Sequence, residues 1–380
     1  MRTLDKIVVV GASLAGLRAV QTLRREGFDG ELTLVGAEAH VPYNRPPLSK
    51  SVLRGDEDVT LPGAEELGDD WLRGRQAVRL DARSRTVVLD DGAELGYDGL
   101  VVASGARPRR LDGVRTLRTL EDALALRAEL DSGHEHVLVI GGGFIGGEVA
   151  TTARQLGRKV TLVDSGPHPM HAGLGAQAAR WLAGHHERNG VELVTGARVT
   201  EVTGGQVRLD DGRVLSADLV VGGMGVTPNT EWLDGSGLAV DDGVLCEPTL
   251  YATGSVNVVA AGDVARWPHR LYGDALIRVE HWSNANEQGA VAARNLLAGP
   301  DEAQPFADVP NFATHVHGAR IQTAGLPHLA DEARVVAGDP EEDRFAVAFA
   351  RDGVLVGAVA VNAPKDLIRL KRSIAAGEAI

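Results

Sequence analysis

Short runs of β-branched and other apolar residues alternate along this chain with longer stretches of helical spacing. Ile7-Val8-Val9-Val10 contains no polar residue, which predicts a short strand buried on both faces. The run ends at Gly11-Ala12-Ser13-Leu14-Ala15-Gly16; a helix is predicted over residues 17–26 and a second strand at Leu32-Thr33-Leu34-Val35. The same plan returns at Val137-Leu138-Val139-Ile140. Gly141-Gly142-Gly143-Phe144-Ile145-Gly146 follows, then a helix to about Leu156 and a strand at Val160-Thr161-Leu162-Val163-Asp164. Each copy is a strand–helix–strand unit with a glycine-rich first turn. Further on, Val87-Val88-Leu89 leads into Asp90-Asp91-Gly92 and then Leu100-Val101-Val102-Ala103-Ser104-Gly105. Val207-Arg208-Leu209 leads into Asp210-Asp211-Gly212 and then Leu219-Val220-Val221-Gly222-Gly223. Asp-Gly between alternating runs predicts a hairpin. The offset stays at about 120–130 residues, so the pattern predicts a duplicated α/β dinucleotide-binding fold.

The pattern changes near Pro305. Arg344 to Ala350 and Val354 to Val359 flank Asp352-Gly353, a further hairpin signal. Pro364 opens a basic helix predicted from Asp366 to about Ala375. This is a small α+β tail, with Gly299-Pro300 as its linker.

Composition narrows the function. The 380 residues suffice for two or three domains, and 47 glycines are well above the roughly 7% of ordinary chains, which points to tight turns and close backbone approach to ligands. A net charge of −13 argues against a general nucleic-acid or anionic-membrane surface. The single cysteine, Cys246, excludes intrachain disulfides and a dithiol redox centre, and reads as buried filler or, less simply, a nucleophile. No apolar run approaches a membrane span, and the opening Met1 to Val10 is too short for a signal peptide; the expectation is a soluble, cytoplasmic protein.

The glycine turns carry the chemistry. A pyrophosphate needs backbone N–H donors and close approach. The first glycine makes the turn, the second admits the phosphate, and the third lets helix pack on strand. Gly141, Gly143 and Gly146 have that spacing. Asp164 ends the following strand, where a carboxylate can accept from both ribose hydroxyls. No arginine follows in Ser165-Gly166-Pro167-His168, which favours NADH over NADPH; the alternative is a solvated strand-end aspartate. In the first copy Ser13 replaces the second glycine between Gly11 and Gly16, and Gly36 holds the strand-end position. Glu38 is then the nearest acid for a ribose, with a surface-loop glutamate as the alternative.

With these pieces in place, the chain resembles the flavoprotein ferredoxin reductases of bacterial oxygenase systems. The resemblance rests on Pro42-Tyr43-Asn44-Arg45-Pro46-Pro47-Leu48-Ser49-Lys50, Leu117 to Ala123, Gly141 to Glu148, Gly222 to Asn229, Ala260 to Ala265 and Glu280 to Ala285, in order over about residues 5–300. It implies two Rossmann-like domains of the glutathione-reductase type with a C-terminal interface domain. Residues 1–107 and 245–304 would bind FAD, 108–244 NADH, and 305–380 would form the interface domain. It also implies FAD contacts from Gly11, Ser13, Ala15, Gly16, Glu38, Arg45, Lys50, Val78, Ala103, Arg118, Gly262, Asp263 and Trp282. Contacts to NAD would come from Gly141, Gly143, Phe144, Ile145, Gly146, Glu148, Asp164 and Gly225. Lys50 and Glu148 would pair near the reacting atoms and orient the nicotinamide. Trp282 would precede a helix, Ser283 to about Leu297, aimed at the flavin.

The resemblance also has departures. Gly147 stands where that family usually has leucine, and Phe312-Ala313-Thr314-His315 where it has Phe-Trp-Ser/Thr-acid. The implied activity is electron transfer from NADH through FAD to an iron–sulfur ferredoxin of a monooxygenase or dioxygenase system, the protein being a monomer or homodimer. Two other readings stay open: a flavin reductase or oxidase of small acceptors, which the altered tail would favour, or a flavin-based redox-sensing binding protein. A ferredoxin would need a basic patch, for which Arg107, Arg109, Arg110, Arg115 and Arg118, opposed only by Asp112, and Lys365, Arg369, Lys371 and Arg372 are candidates; each also reads as a solvated face. The histidine pairs 168/171, 185/186 and 315/317 offer no convincing metal-ligand set.

Overall fold

The computed structural model describes residues 4–56, 58–65, 67 and 71–380; Met1 to Thr3 of the amino-terminal run lie outside the described residues. The described residues form six α-helices: α1 (Leu14–Arg25), α2 (Leu120–Asp131), α3 (Phe144–Gln155), α4 (His171–Arg188), α5 (Trp282–Ala298) and α6 (Pro364–Ala376). Contacts divide the chain into two units. One comprises Met1–Asn44, Thr60–Arg107 and Thr227–Pro310; the other comprises Arg45–Val59, Pro108–Val226 and Asn311–Ile380.

The first unit is built on a five-stranded parallel sheet in the order Val258–Ala260, Gly99–Val102, Lys6–Val10, Glu31–Gly36, Trp71–Arg73. Ile7 to Val10 are all buried, as an apolar strand covered on both faces requires. The chain leaves the central strand in both directions, so the crevice for a ligand opens at the carboxyl ends of Lys6–Val10 and Gly99–Val102. Helices α1 and α5 pack together on this sheet. They approach closely because Gly289 has no side chain: a Cβ there would sit 2.3 Å from the Ala15 carbonyl oxygen.

The second unit repeats the plan. Its parallel sheet runs Val191–Thr195, Lys159–Asp164, His136–Ile140, Leu219–Gly222, Arg115–Thr116. Small devices repeat too. Asp98 Oδ2 accepts from the backbone N–H groups of Asp5 and Lys6 at 3.0 and 2.9 Å, and Asp218 Oδ2 accepts from Glu135 and His136 at the same distances. The Asp-Gly hairpins form, but their return arms are the short strands Glu94–Gly96 and Val214–Ser216, while the apolar runs beyond join the parallel sheets. Three-residue arms carrying one half-buried leucine each are too brief for the alternation to show.

The second unit also contains the tail, a five-stranded antiparallel sheet in the order Asn311–Val316, Ala319–Gly325, Val354–Val361, Arg344–Arg351, Glu332–Asp339. Asp352 and Gly353 both take positive φ at the hairpin, and Pro364 is the first residue of α6. Leu174, Trp181 and Leu182 of α4 share one apolar core with Ile321, Phe345, Val347 and Val359 of this sheet. Contact therefore groups the tail with residues 108–226.

Gly289→Ala should destabilise the first unit by about 1–3 kcal/mol, because backbone rather than a movable side chain opposes the added methyl. A denaturant melt of the variant that superimposes on the parent would contradict this packing.

Candidate functional site

In the first unit the turn from strand to α1 is set by sterics. Gly11 has φ 115°, and a Cβ there would lie 2.0 Å from the Ala103 carbonyl oxygen; one on Gly16 would lie 1.8 Å from that of Gly11. Ser13 is the extended N-cap of α1, and Ala15 and Ala103 are buried beside the turn. Gly262 (φ 79°) brings its short helical turn against Ala15, and its N–H donates to Gln288 Oε1 at 2.9 Å, so Asp263 stands next to the glycine turn. Trp282 is the first residue of α5, one earlier than the sequence pattern predicts; its Nε1 donates to Asn44 Oδ1 at 3.0 Å. Tyr43 donates to Glu38 Oε2.

A cavity of about 540 Å³ joins Gly11 to Val78, with Arg75, Ser104, Arg107 and Asn229 also on its wall. Ala37, rather than Glu38, lines it. The buried Trp232 Nε1 on the same wall has no hydrogen-bond partner among the described residues. A dinucleotide suits this place: close-approach glycine backbone, a helix N-terminus, cationic side chains and an unmet donor.

In the second unit Gly141 (φ 90°) and Gly146 repeat the constraint, their Cβ atoms falling 2.4 Å from the Gly223 and 1.9 Å from the Gly141 carbonyl oxygens. Gly143 differs. It is the N-cap of α3, and its Cβ would meet only Gly223 O, at 3.9 Å, so the space before the first turn of α3 is open to a phosphate. Asp164 is locked by two backbone donors, Gly142 N to Oδ2 at 2.6 Å and Gly166 N to Oδ1 at 2.7 Å, which holds its carboxylate beside the turn. Ile145 is exposed at the start of α3, Phe144 lies against Phe312 with ring centroids 3.8 Å apart, and Gly225 has φ 85° with open space at its α-carbon.

One turn into α3 stands Glu148, a carboxylate only 3% exposed. Lys50 Nζ lies 2.6 Å from its Oε1. Ser49 Oγ donates to Oε2 and Thr314 Oγ1 to Oε1, each at 2.5 Å. Lys50 is about a quarter exposed and also donates to Pro46 O at 3.0 Å. Thr152 Oγ1 pins the loop by donating to Ser49 O at 2.8 Å. Arg45 and Arg118 belong to this unit as well, Arg45 Nη1 donating to Arg118 O. A buried carboxylate is tolerated because a cation and two hydroxyls compensate it; removing one charge of such a pair costs about 3–5 kcal/mol. The family resemblance implies the Lys50–Glu148 pair but neither hydroxyl. The signal available for Thr314 is strand alternation, which puts Phe312, Thr314 and Val316 on one face.

Other expectations change on folding. The arginine cluster is opposed by more than Asp112: Arg115 pairs with Glu129 at 2.5 Å and Arg107 with Glu231, acids distant in sequence. Cys246 is buried, which pushes its thiol up to about 12. The histidine pairs separate and recombine. His315 is exposed, while His186 Nδ1 and His317 Nε2 lie 3.0 Å apart and His185 Nε2 lies 3.1 Å from Val316 O. Burial, reinforced by the facing histidines, lowers His186 to about 3; burial, with His185 and Arg154 nearby, lowers His317 to about 4.

A sequence profile of the pyridine nucleotide-disulphide oxidoreductase family matches residues 5–289, and one for a reductase C-terminal domain matches 312–380. The chain is 37% identical to the ferredoxin–NAD(+) reductase component of the p-cumate 2,3-dioxygenase system of Pseudomonas putida, over 97% of this chain and 93% of that protein. It is 37% identical to the corresponding biphenyl dioxygenase component of Paraburkholderia xenovorans, over 96% and 91%. Among solved structures, the reductase in the covalent putidaredoxin reductase–putidaredoxin complex superimposes with a TM-score of 0.91 at 31% identity, covering 98% of this chain and 93% of that one.

The neutral histidines set a pH dependence. Their folded values lie below the unfolded value of about 6.5, so the unfolded chain binds more protons in between. Their stabilisation is complete above about pH 6.5 and falls as pH drops toward 4, by up to about 1.4 kcal/mol per pH unit for each histidine. His317→Asn, which tolerates the positive φ of 46° at this position, should flatten that slope in melts from pH 7 to 4.5. Parallel curves for parent and variant would refute the assignment.

Proposed function

The chain belongs to the pyridine nucleotide-disulphide oxidoreductase family, and we propose that within it this protein passes electrons from NADH through FAD to an iron–sulfur ferredoxin that serves an oxygenase. The observation that carries this reading is the pairing of Lys50, from the 45–59 loop, with Glu148, buried on the helix that opens at Gly143. A charge pair beside a dinucleotide-binding turn is suited to orient a nicotinamide.

We assign FAD to residues 1–107 and 245–304, NADH to 108–244, and the partner-facing role to 305–380. In the FAD domain Gly11, Ser13, Ala15 and Gly16 would cradle the pyrophosphate, Ala103 and Gly262 would close the turn, Glu38 would accept from a ribose, and Asp263 from the ribityl chain. Val78 would face the adenine end, Trp282 would present the α5 N-terminus to the flavin, and Arg45 and Arg118 would add donors. In the NADH domain Gly141, Gly143 and Gly146 would hold the pyrophosphate. Asp164 would take the ribose hydroxyls and repel a 2′-phosphate, while Phe144, Ile145 and Gly225 would shape the nicotinamide pocket. Lys50 and Glu148 are the catalytic assignments: fixed opposite charges that orient the nicotinamide for hydride transfer.

When bound, FAD would supply the step no side chain here can, accepting one hydride, hence two electrons, and releasing those electrons one at a time to an iron–sulfur cluster. No helix among the described residues is long and apolar enough to cross a membrane, which accords with a cytoplasmic reductase.

Anaerobic titration of the FAD-loaded protein tests the reading. Stoichiometric NADH should bleach the flavin while NADPH acts far more weakly. Asp164→Ala should erode the preference for NADH by roughly 10–100-fold, the worth of a charge-assisted hydrogen bond. Failure to retain FAD, or a bound flavin left oxidised by NADH, would refute the reading.

A further inference from the structure

Glu148 is held from three directions by different segments: α3 carries it, the loop Arg45–Val59 supplies Ser49 and Lys50, and the tail strand Asn311–Val316 supplies Thr314. These partners are not equivalent. Lys50 is partly exposed and divides its ammonium among Glu148, Pro46 O and, at 3.5 Å, Ser49 Oγ. Ser49 and Thr314 are each about 1% exposed and are donors of fixed reach. The two hydroxyls take opposite oxygens of the carboxylate, so together they define its plane. The carboxylate in turn defines where the ammonium rests.

Thr314 is the tail's contribution, and the tail is fastened to α3 along its length. Phe312 lies on Phe144, Thr314 bonds Glu148, and the His317 N–H donates to Thr151 Oγ1 at 3.2 Å. Phe312 and Thr314 of the strand, and His317 just past its end, meet successive turns of α3. On the opposite face of that strand Ala313 and His315 are exposed, one residue either side of Thr314.

We propose that Thr314 is a positioning residue: through its hydrogen bond to Glu148 the tail strand fixes the Lys50–Glu148 pair and thereby tunes reduction of the cofactor. This rests on the functional reading above, in which that pair lies beside the reacting atoms. Loss of the hydroxyl leaves the buried carboxylate less compensated. Added negative charge on the reduced cofactor is then less favourable, and the ammonium loses its fixed seat.

The experiment compares Thr314→Val, Thr314→Ser and Glu148→Gln with the parent, all as FAD-loaded full-length protein. Spectroelectrochemistry reads the flavin midpoint potential, and anaerobic stopped flow reads the saturating rate of reduction and the NADH concentration at half saturation. Thr314→Val should slow the saturating rate roughly tenfold while half saturation stays within about twofold, and should move the potential negative. Thr314→Ser should restore both. Ser49→Ala, which removes the other hydroxyl from a separate segment, should reproduce the defect if the valine variant fails to fold. Parental rate and potential in Thr314→Val, or a serine variant as impaired as the valine one, would overturn the proposal. A parent that NADH does not reduce, or a Glu148→Gln variant reduced at the parental rate, would instead overturn the reading beneath it.

Discussion

Glu148 imposes the central constraint on the second unit. A carboxylate 3% exposed is tolerable only if donors surround it, and the nearby α3 hydroxyls do not supply them, Thr151 donating to Gly147 O and Thr152 to Ser49 O. A loop from residues 45–59 and a strand from residues 311–316 therefore converge on one turn of helix, although nearly 270 residues separate Ser49 from Thr314. That requirement explains why contact groups three distant pieces of chain into one unit. It also explains the supporting bonds, Thr152 to the loop and Thr151 to the tail hairpin, which hold the donors where the carboxylate needs them.

The duplication shows which parts of the fold are fixed by backbone geometry and which by ligand chemistry. Gly11 and Gly141, Gly16 and Gly146, and Asp98 and Asp218 recur because the strand–turn–helix passage leaves no room for a Cβ and because a strand's first N–H groups need an acceptor. The positions proposed for ligand contact diverge. Ser13 stands opposite Gly143, and Gly36 with Glu38 stands opposite Asp164. Conservation of the frame with divergence of the lining is how one architecture takes two dinucleotides.

Local signals made much of this legible. The apolar runs, the glycine turns, the tail hairpin and the Pro364 helix start are all written within a few residues of one another, and each forms close to where the pattern predicts. Boundaries slip where the signal is weak: α1 begins at Leu14 because the glycine turn runs directly into the helix, and the return arms of the Asp-Gly hairpins are too short to show. What local pattern could not show was partnership across the chain. Thr314 reads as one hydroxyl in an altered motif, the three histidines as separate pairs, and Arg107 and Arg115 as unopposed charges. Only folding brings Glu148, His317 with His186, and Glu231 and Glu129 to them.

The core shared by α4 and the tail sheet bears on how such proteins can be recombined. A chimera cut at the linker near residue 300 would treat the last eighty or so residues as a separable module. That cut strips Trp181 and Leu182 of Phe345 and Val347 and leaves Asp343 unable to accept from the Trp181 indole at 2.6 Å. The exchangeable cassette is discontinuous: the tail must travel with α3, α4 and the 45–59 loop, so inheritance of a new tail brings with it the helix and loop that hold the buried carboxylate.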